Sequence, residues 1–567
     1  MSHSNRQHGP AQIRTGSALI VVLCVIVMLT LGAYTFSELM LTEYEASATY
    51  GQLVQSEFYA ESGVEYVTTL LSPDGGGFDY NLYDNQELFH MAMDPTGGFA
   101  IVAPREDFTT ASTGQTTNSG LRLGLTDECA RLNINVLALF NPDSGFGRDL
   151  LMGLPNMTED VADAMLDWID ADDEPREYGA EVDSYSQVVP RNGPISNLQE
   201  LLLVYGVSPQ LMYGEDGNRN GVLDPNENDG ELSLPYDNED GILDLGWFAH
   251  LTTTSLEGNF RHAYDRFGEE RIFVNEPLLT DLYDILLEEY DEDIARFITA
   301  YRLVGPKTDE EQDLAGAIED ELVDAIVPDE NPLIGFGGEA STTGDAATDD
   351  AIQEAAENVA GALFSGDAGE VTRGGMDLSA GATTEIRSLF ELIDAEVEVE
   401  IDGQTQALVS PWSSDPGLLQ EQLPLLMDAL TVTEQTEVQG RLNINQARPE
   451  VLAGIPGIPE DLPARIVSTR AGLSNDTAQL STTGWLLIQG LVDLETMRLL
   501  DGFITTRGDV FSMQVVGYAD GGGPVARIEA VVDASETIPR VIFQRPLTEL
   551  GPGYRSDQLP PFGGTSQ

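Results

Sequence analysis

The chain has 567 residues, with 96 Asp and Glu against 27 Lys and Arg and a formal net charge of -69. That balance excludes nucleic acid as a partner, because phosphate binding needs the opposite sign, and it favours solubility and attraction of cations. The length exceeds a single core, so several domains are expected.

A run of mostly apolar residues, Ala18 to Tyr34, lies near the start, with no acidic side chain until Glu38. Read as helix from Ser17 to Ser37 it spans about 21 residues, roughly 30 Å, enough to cross a hydrocarbon core. His3, Arg6, His8 and Arg14 precede it, and Glu38, Glu43 and Glu45 are the first charges after it. This bias predicts a single membrane pass, with a cytoplasmic N-terminus and an exported body. A signal peptide is disfavoured: the run is long for an apolar centre, and no small-x-small cleavage site follows. The helical pattern continues instead through Tyr66 towards Leu71, with no further proline before Pro73. Its second half is amphipathic, marked by Val54, Phe58, Glu61 and Glu65, and the surface around Val54, Phe58 and Leu70 is expected to meet partners. Cys24 lies in the membrane segment and Cys129 outside it, so the two cannot pair within one chain.

Strand-like segments follow at residues 98–103 and 120–125. The pentapeptide Arg131-Leu132-Asn133-Ile134-Asn135 then recurs as Arg441-Leu442-Asn443-Ile444-Asn445. Each copy precedes an apolar helix, a proline turn (Leu154-Pro155 or Ile455-Pro456) and a second helix. The shape resembles the helix-hairpin-helix unit. The acids Glu159, Asp160, Asp163 and Asp167 behind the first turn speak for a packing module rather than a DNA contact. Asp167-Trp168-Ile169-Asp170-Ala171-Asp172 continues into Gly179-Ala180-Glu181, a crowd of carboxylates that is either solvated or gathered on a cation.

Asp216 to Glu227 fits a twelve-residue calcium loop. Asp216, Asn218 and Asn220 take positions 1, 3 and 5, Gly221 the turn, and the Val222 carbonyl position 7. Asp224 takes position 9 and Glu227 position 12. All donors are oxygens, which suits a hard cation and not zinc. Pro225 argues against a helix-loop-helix switch, so a structural clamp is expected. Asp237, Asp240 and Asp244 form a weaker second candidate, because Gly241 follows too soon after Asp237 for a regular loop.

Residues 341–350 read as a flexible acidic linker, with a weak helix over 349–364. The best strands lie at the far end, over 510–517 and 525–532, with a shorter one at 541–543. Five histidines leave a triad or metal cluster few candidates. No catalytic residue is assigned, and no cofactor but calcium. A membrane-tethered exported hydrolase using paired carboxylates is the alternative from another class.

Arg14-Thr15-Gly16-Ser17-Ala18-Leu19-Ile20 resembles a class III prepilin leader cut between Gly16 and Ser17. The usual glutamate at the fifth mature position is replaced by Val21, which is the pattern of the K-type minor pseudopilin of type II secretion. Asp127-Glu128 with Leu132-Asn133-Ile134-Asn135, Asp167-Trp168-Ile169-Asp170, Gly179-Ala180-Glu181 and Phe503-Ile504-Thr505-Thr506-Arg507-Gly508-Asp509 resemble that family's signature in its order.

The resemblance implies an α+β fold: a pilin-like long N-terminal transmembrane helix packed on an antiparallel sheet, with a large inserted helical domain containing two helix-hairpin-helix or SAM-like units. The expected divisions are a leader 1–16, the long helix 17–71, the first part of the body 72–125, and the helical insert 126–305. An acidic segment 306–384, a connecting region 385–435, a second hairpin unit 436–504, terminal strands 505–546 and a flexible tail 547–567 complete the chain. It further implies a cap at the pseudopilus tip, paired calcium sites, and processing by prepilin peptidase. The implied partners are the I- and J-type minor pseudopilins, with exported substrate or the outer-membrane secretin as outward contacts.

Overall fold

The computed structural model describes residues 15–77, 80–104, 121–140, 145–258, 263–265, 267–307, 371–435, 437–473, 479–554 and 559–562. The leader up to residue 14, the linker 341–350 and the helix expected over 349–364 lie outside the described residues.

One helix, Thr15–Leu70, runs through the apolar segment and into the body, and Gly16 and Ser17 lie in its first turn. Its first half is exposed among the described residues: Leu23, Met28 and Leu31 stand 61%, 74% and 61% exposed. Among the described residues it is the one helix long and apolar enough to cross a membrane. The second half lies on a sheet. The buried face is Ser56, Tyr59, Ala60, Gly63, Val64, Val67 and Leu70, on the side of the helix opposite Val54 and Phe58. Leu70 is therefore core and unavailable to partners, whereas Phe58 remains 58% exposed. Small residues set the approach of helix to sheet. A Cβ on Gly517 would lie 1.9 Å from the Ser56 carbonyl oxygen, and one on Gly63 would lie 2.4 Å from Val515 Cγ1.

The sheet runs in the order His90–Asp94, Gly97–Pro104, Val510–Ala519, Ala526–Asp533, Arg540–Pro546, every pair antiparallel. Leu121–Leu123 and Thr126–Asp127 are added beside it. Val515 sits opposite Ile101, so the central strand joins segments some four hundred residues apart, and the chain between Asp127 and Val510 is an insert. One face packs Phe99, Ile101, Met513, Val515 and Ile528 under the helix. The other carries Ala100, Val102, Val516 and Tyr518, covered by Tyr554 and Leu559. The segment expected as a flexible tail from 547 is thus docked through 554 and again at 559–562. The two aromatic and aliphatic side chains are 1% and 4% exposed, and Phe562 stacks on His90 with centroids 4.5 Å apart. The region 385–435 likewise has regular structure. It holds the hairpin Glu396–Ile401 with Gln404–Val409, followed by the helix Pro416–Ala429.

The insert is built on three copies of one small device, where two were read from the sequence. Leu132–Asn133 pairs in parallel with Leu251–Thr252, and Leu442–Asn443 with Ile504–Thr505. Ile272–Phe273 pairs in the same way with Leu430–Thr431. In each copy an asparagine two residues past the strand donates its amide to two carbonyls. Asn135 reaches Ile195 and Thr253 at 2.9 and 2.8 Å, and Asn445 reaches Leu480 and Thr506 at 2.9 and 3.0 Å. Asn275 reaches Ile386 and Val432 at 2.8 and 3.1 Å. A helix pair follows each strand: Phe146–Met152 with Glu159–Ile169, Leu279–Glu289 with Glu292–Val304, and Pro449–Ala453 with Leu462–Leu473. The middle copy starts Arg271-Ile272-Phe273-Val274-Asn275, so the signal was present but blurred by Phe273.

Candidate functional site

Two loops at the junction between sheet and insert gather most of the candidate ligands. The first, from Asp216 to Glu227, follows the short helix Pro209–Tyr213 and ends in a single helical turn, Pro225–Glu227. Its fold follows from its composition. Asp216 accepts from the backbone N–H of Asn220 (3.0 Å) and Gly221 (2.9 Å), Asn218 from Asn220, and Asn220 from Val222. Arg219 and Gly221 take the left-handed conformation, with φ of 58° and 67°, which lets the turns follow one another. Glu227 closes the ring, accepting from Gly217 at 3.1 Å and from Asp224 at 3.1 Å. The side chains of Asp216, Asn218, Asn220, Asp224 and Glu227 are thereby brought together, with the Val222 carbonyl on the same loop.

The electrostatics are those of a ring wanting a cation. Glu227 is 1% exposed, and burial pushes its carboxyl up to about 7, with Asp216 and Asp224 adding to the shift. Burial also raises Asp216. Carboxylates withdrawn from water and facing like charge are unfavourable unless an opposite charge joins them. The donor set therefore fits calcium. Among the described residues no group of three or more His, Cys, Asp or Glu side chains is placed to hold a metal. A cation here depends equally on the asparagines and the carbonyl.

The second loop repeats the frame of the first with one substitution of source. Asn238 accepts from Asp240 (2.9 Å) and Asp240 from Ile242 (2.8 Å), as Asn218 and Asn220 do above. Asn238 also donates to Asp244 at 3.1 Å, the counterpart of Asn218 on Asp224. The closing carboxylate is Glu215, which accepts from Asn238 at 3.3 Å and Asp244 at 3.0 Å. Asp237 stands outside this frame: its carboxylate accepts the N–H groups of Asp229, Gly230 and Glu239. The regular frame begins after Asp237, which is why its spacing to Gly241 looked short. Glu215, next to Asp216, was hidden from sequence reading because it serves the other loop.

The first loop also bridges the parts of the molecule. Gln514 on the central strand donates to the Arg219 carbonyl at 2.6 Å, and Arg527 on its neighbour to the Asn218 carbonyl at 2.8 Å. The docked tail adds the Gly553 carbonyl, which accepts from Asn220 at 2.5 Å. The Tyr554 hydroxyl lies 3.1 Å from both the Asn220 carbonyl and Gln514 Oε1. A cavity of about 90 Å³ opens beside this joint, lined in part by Asp216, Arg219 and Glu529.

The carboxylate-rich run after the first helix pair is held by arginines. Arg148 forks onto Asp163 at 2.7 and 2.6 Å, and Arg176 binds Asp167 at 2.8 Å and also Asp170. Glu181 is 5% exposed, neither of its oxygens has a hydrogen-bond partner, and burial with Asp167 and Asp170 near by pushes it up to about 7. At the root of the insert, Asp127 accepts from Cys129 (2.8 Å), Gly508 (2.6 Å) and the Asn443 amide (2.7 Å), tying the first signature phrase to the last. Arg441 forks onto Glu257 at 2.7 and 2.8 Å. These phrases are structural rivets.

Residues 130–213 match the family model described as Type II secretion system (T2SS), protein K. The chain thus contains a protein K domain, which covers the first strand and helix pair and ends just before Asp216. No curated protein and no solved structure matches the chain. The matched family is one of structural, non-catalytic components.

Proposed function

We propose that the chain is a K-type minor pseudopilin that caps the tip of a periplasmic pseudopilus and contributes to its assembly and to protein export. One observation carries this reading: a protein K domain sits in an insert between strands of a sheet that rests on a long helix, and the other half of that helix is apolar and bare. In this reading prepilin peptidase cuts between Gly16 and Ser17, and the helix stays in the inner membrane with the body in the periplasm. Val21 replaces a glutamate that has no amine to meet at a tip, where an unpaired charge in lipid would be costly. The exposed helix face around Phe58 meets the I- and J-type subunits, and the insert faces exported substrate or the secretin. The helix pairs act as helix-hairpin-helix packing units within the insert.

Calcium is held in this reading by Asp216, Asn218, Asn220, the Val222 carbonyl, Asp224 and Glu227. A second ion is held by Asn238, Asp240, Asp244 and Glu215. Its role is to neutralise the rings and lock the joint. Mass spectrometry of the mature N-terminus tests the reading, with Ser17 as the expected first residue and co-purification with I- and J-type subunits. An intact Met1, or a cut beyond Tyr34, overturns it.

A further inference from the structure

Between the two loops the chain throws out a finger whose large apolar side chains face solvent. Leu232, Leu234 and Tyr236 are 86%, 72% and 56% exposed, and Ile242 beside them is 49% exposed. Such exposure on a floppy loop would carry no meaning, but this loop is braced. Asp237 pins its base through the N–H groups of Asp229 (2.9 Å) and Gly230 (2.9 Å), and its own N–H returns to the Gly230 carbonyl. Ser233 ties back to Asp229 at 2.7 Å, and Gln210 donates to the Tyr236 carbonyl at 3.3 Å. Pro235 leans on Gly217 of the first loop, leaving 3.2 Å for any added Cβ. Rigid, exposed apolar side chains are the anatomy of an interface anchor, since little ordering entropy remains to be lost on binding.

The surround selects the partner. From Asp224 to Asp244 there are eight acidic residues and no lysine or arginine, and four of the eight, Asp229, Glu231, Asp237 and Glu239, stand outside both ligand sets and keep the surface acidic with the ions bound. An anionic lipid surface would be repelled, and so would a second copy of a chain with net charge -69. We propose that the segment 231–242 is a protein-docking finger, and that it fits a protein surface with an apolar socket rimmed by lysine and arginine. Leu232 and Leu234 enter the socket, and the acidic loops face its rim. This goes beyond the secretion reading and does not rest on it, because the bracing is in the chain itself.

The test uses the full chain in phosphatidylcholine nanodiscs and two labelled peptides of sixteen residues. Both carry the same leucine and phenylalanine spacing, one with lysine and arginine between them and the other with glutamate. The expected result is binding of the basic peptide at least about tenfold tighter than the acidic one, weakening with salt. L232S/L234S is expected to lose that preference with an unchanged melting temperature, because both side chains are solvent-exposed. E231K is expected to weaken the basic peptide alone. Equal binding of the two peptides, no binding, or an unaltered L232S/L234S variant would overturn the proposal. In producing cells, a photo-crosslinking residue at Leu234 should yield adducts mapping to peptides that carry apolar residues beside lysine or arginine. Adducts to lipid alone, or to a second copy, would overturn it as well.

Discussion

Glu227 and Glu181 are both buried carboxyls raised to about 7, and the structure gives them different fates. Glu227 closes a ring of oxygen donors, so calcium is expected to bind there and stabilise the folded chain by mass action, about 2.7 kcal/mol at a hundredfold excess over Kd. Chelation is expected to lower the melting temperature, and Glu227→Gln to remove most of that calcium response. Superimposable melts with calcium and with chelator would remove the ion from the account. Glu181 has no hydrogen-bond donor among the described residues, and Asp167, Asp170, Asp172 and Asp173 near by add to its shift. A carboxyl raised on folding binds its proton more tightly in the native state. Its favourable contribution is complete below the unfolded value near 4.5 and is lost as pH rises through about 7. In chelator, stability is therefore expected to fall between those limits. Glu181→Gln should flatten that part of the profile and gain about 1–3 kcal/mol at pH 8, because the amide stays neutral where a carboxylate would be a buried charge among like charges. A variant with the parent's pH profile would show that Glu181 finds a donor or solvent in solution.

The elements differ in how plainly their residues announced them. The central strands were legible because Val510 to Gly517 and Val525 to Val532 are dense in β-branched residues and flank a glycine run. The first and last helix pairs were legible through their leucines and their Leu154-Pro155 and Ile455-Pro456 turns. On the long helix Val54 and Phe58 lie away from the sheet and only Leu70 of the expected partner surface is buried; the sheet-facing side was not legible because its contact uses Ser56, Ala60 and Gly63, and small residues carry almost no hydrophobic signal. The hydrogen-bonded frame of the first loop was readable because its Asp and Asn residues run in sequence, and that of the second was unreadable where Glu215 reaches across from the neighbouring loop. The middle copy of the strand-and-asparagine device was missed since Phe273 stands where Asn133 and Asn443 stand in the others. Its weight is testable. Asn275 is 7% exposed and satisfies the carbonyls of Ile386 and Val432 while accepting from the Ile386 N–H. Asn275→Ala is expected to cost about 2–4 kcal/mol by leaving those groups unmet, comparable to Asn445→Ala. A loss near zero from denaturant melts, against a full loss at Asn445, would reduce the third copy to a coincidence of pattern.

At the scale of the molecule, the loop from Asp216 to Glu227 is the point where three parts meet: insert, sheet and C-terminal tail. Asn218, Arg219 and Asn220 give their carbonyls to Arg527, Gln514 and Tyr554, so the same short stretch that offers side chains inward offers its backbone outward. An ion that fixes the side chains fixes those carbonyls, and by reciprocity the contacts that fix the carbonyls favour the ion. The tail is therefore expected to act on calcium from a distance in sequence of more than three hundred residues. Ending the chain after Gly551 removes Gly553, Tyr554, Leu559 and Phe562 together, whereas Tyr554→Phe removes one hydroxyl and keeps the ring in place. Titration calorimetry is expected to show calcium binding weakened about tenfold by the truncation, matching the loss of one or two hydrogen bonds of about 1 kcal/mol each. The phenylalanine variant should show about half that loss in free energy. Hydrogen exchange should quicken along Asn218 to Val222 and along the strand Ala526–Asp533 in the truncated chain, with the helix pairs of the insert unchanged. Unaltered calcium affinity with faster exchange would mean that the tail only shields the sheet, and that the joint is held by Gln514 and Arg527 alone.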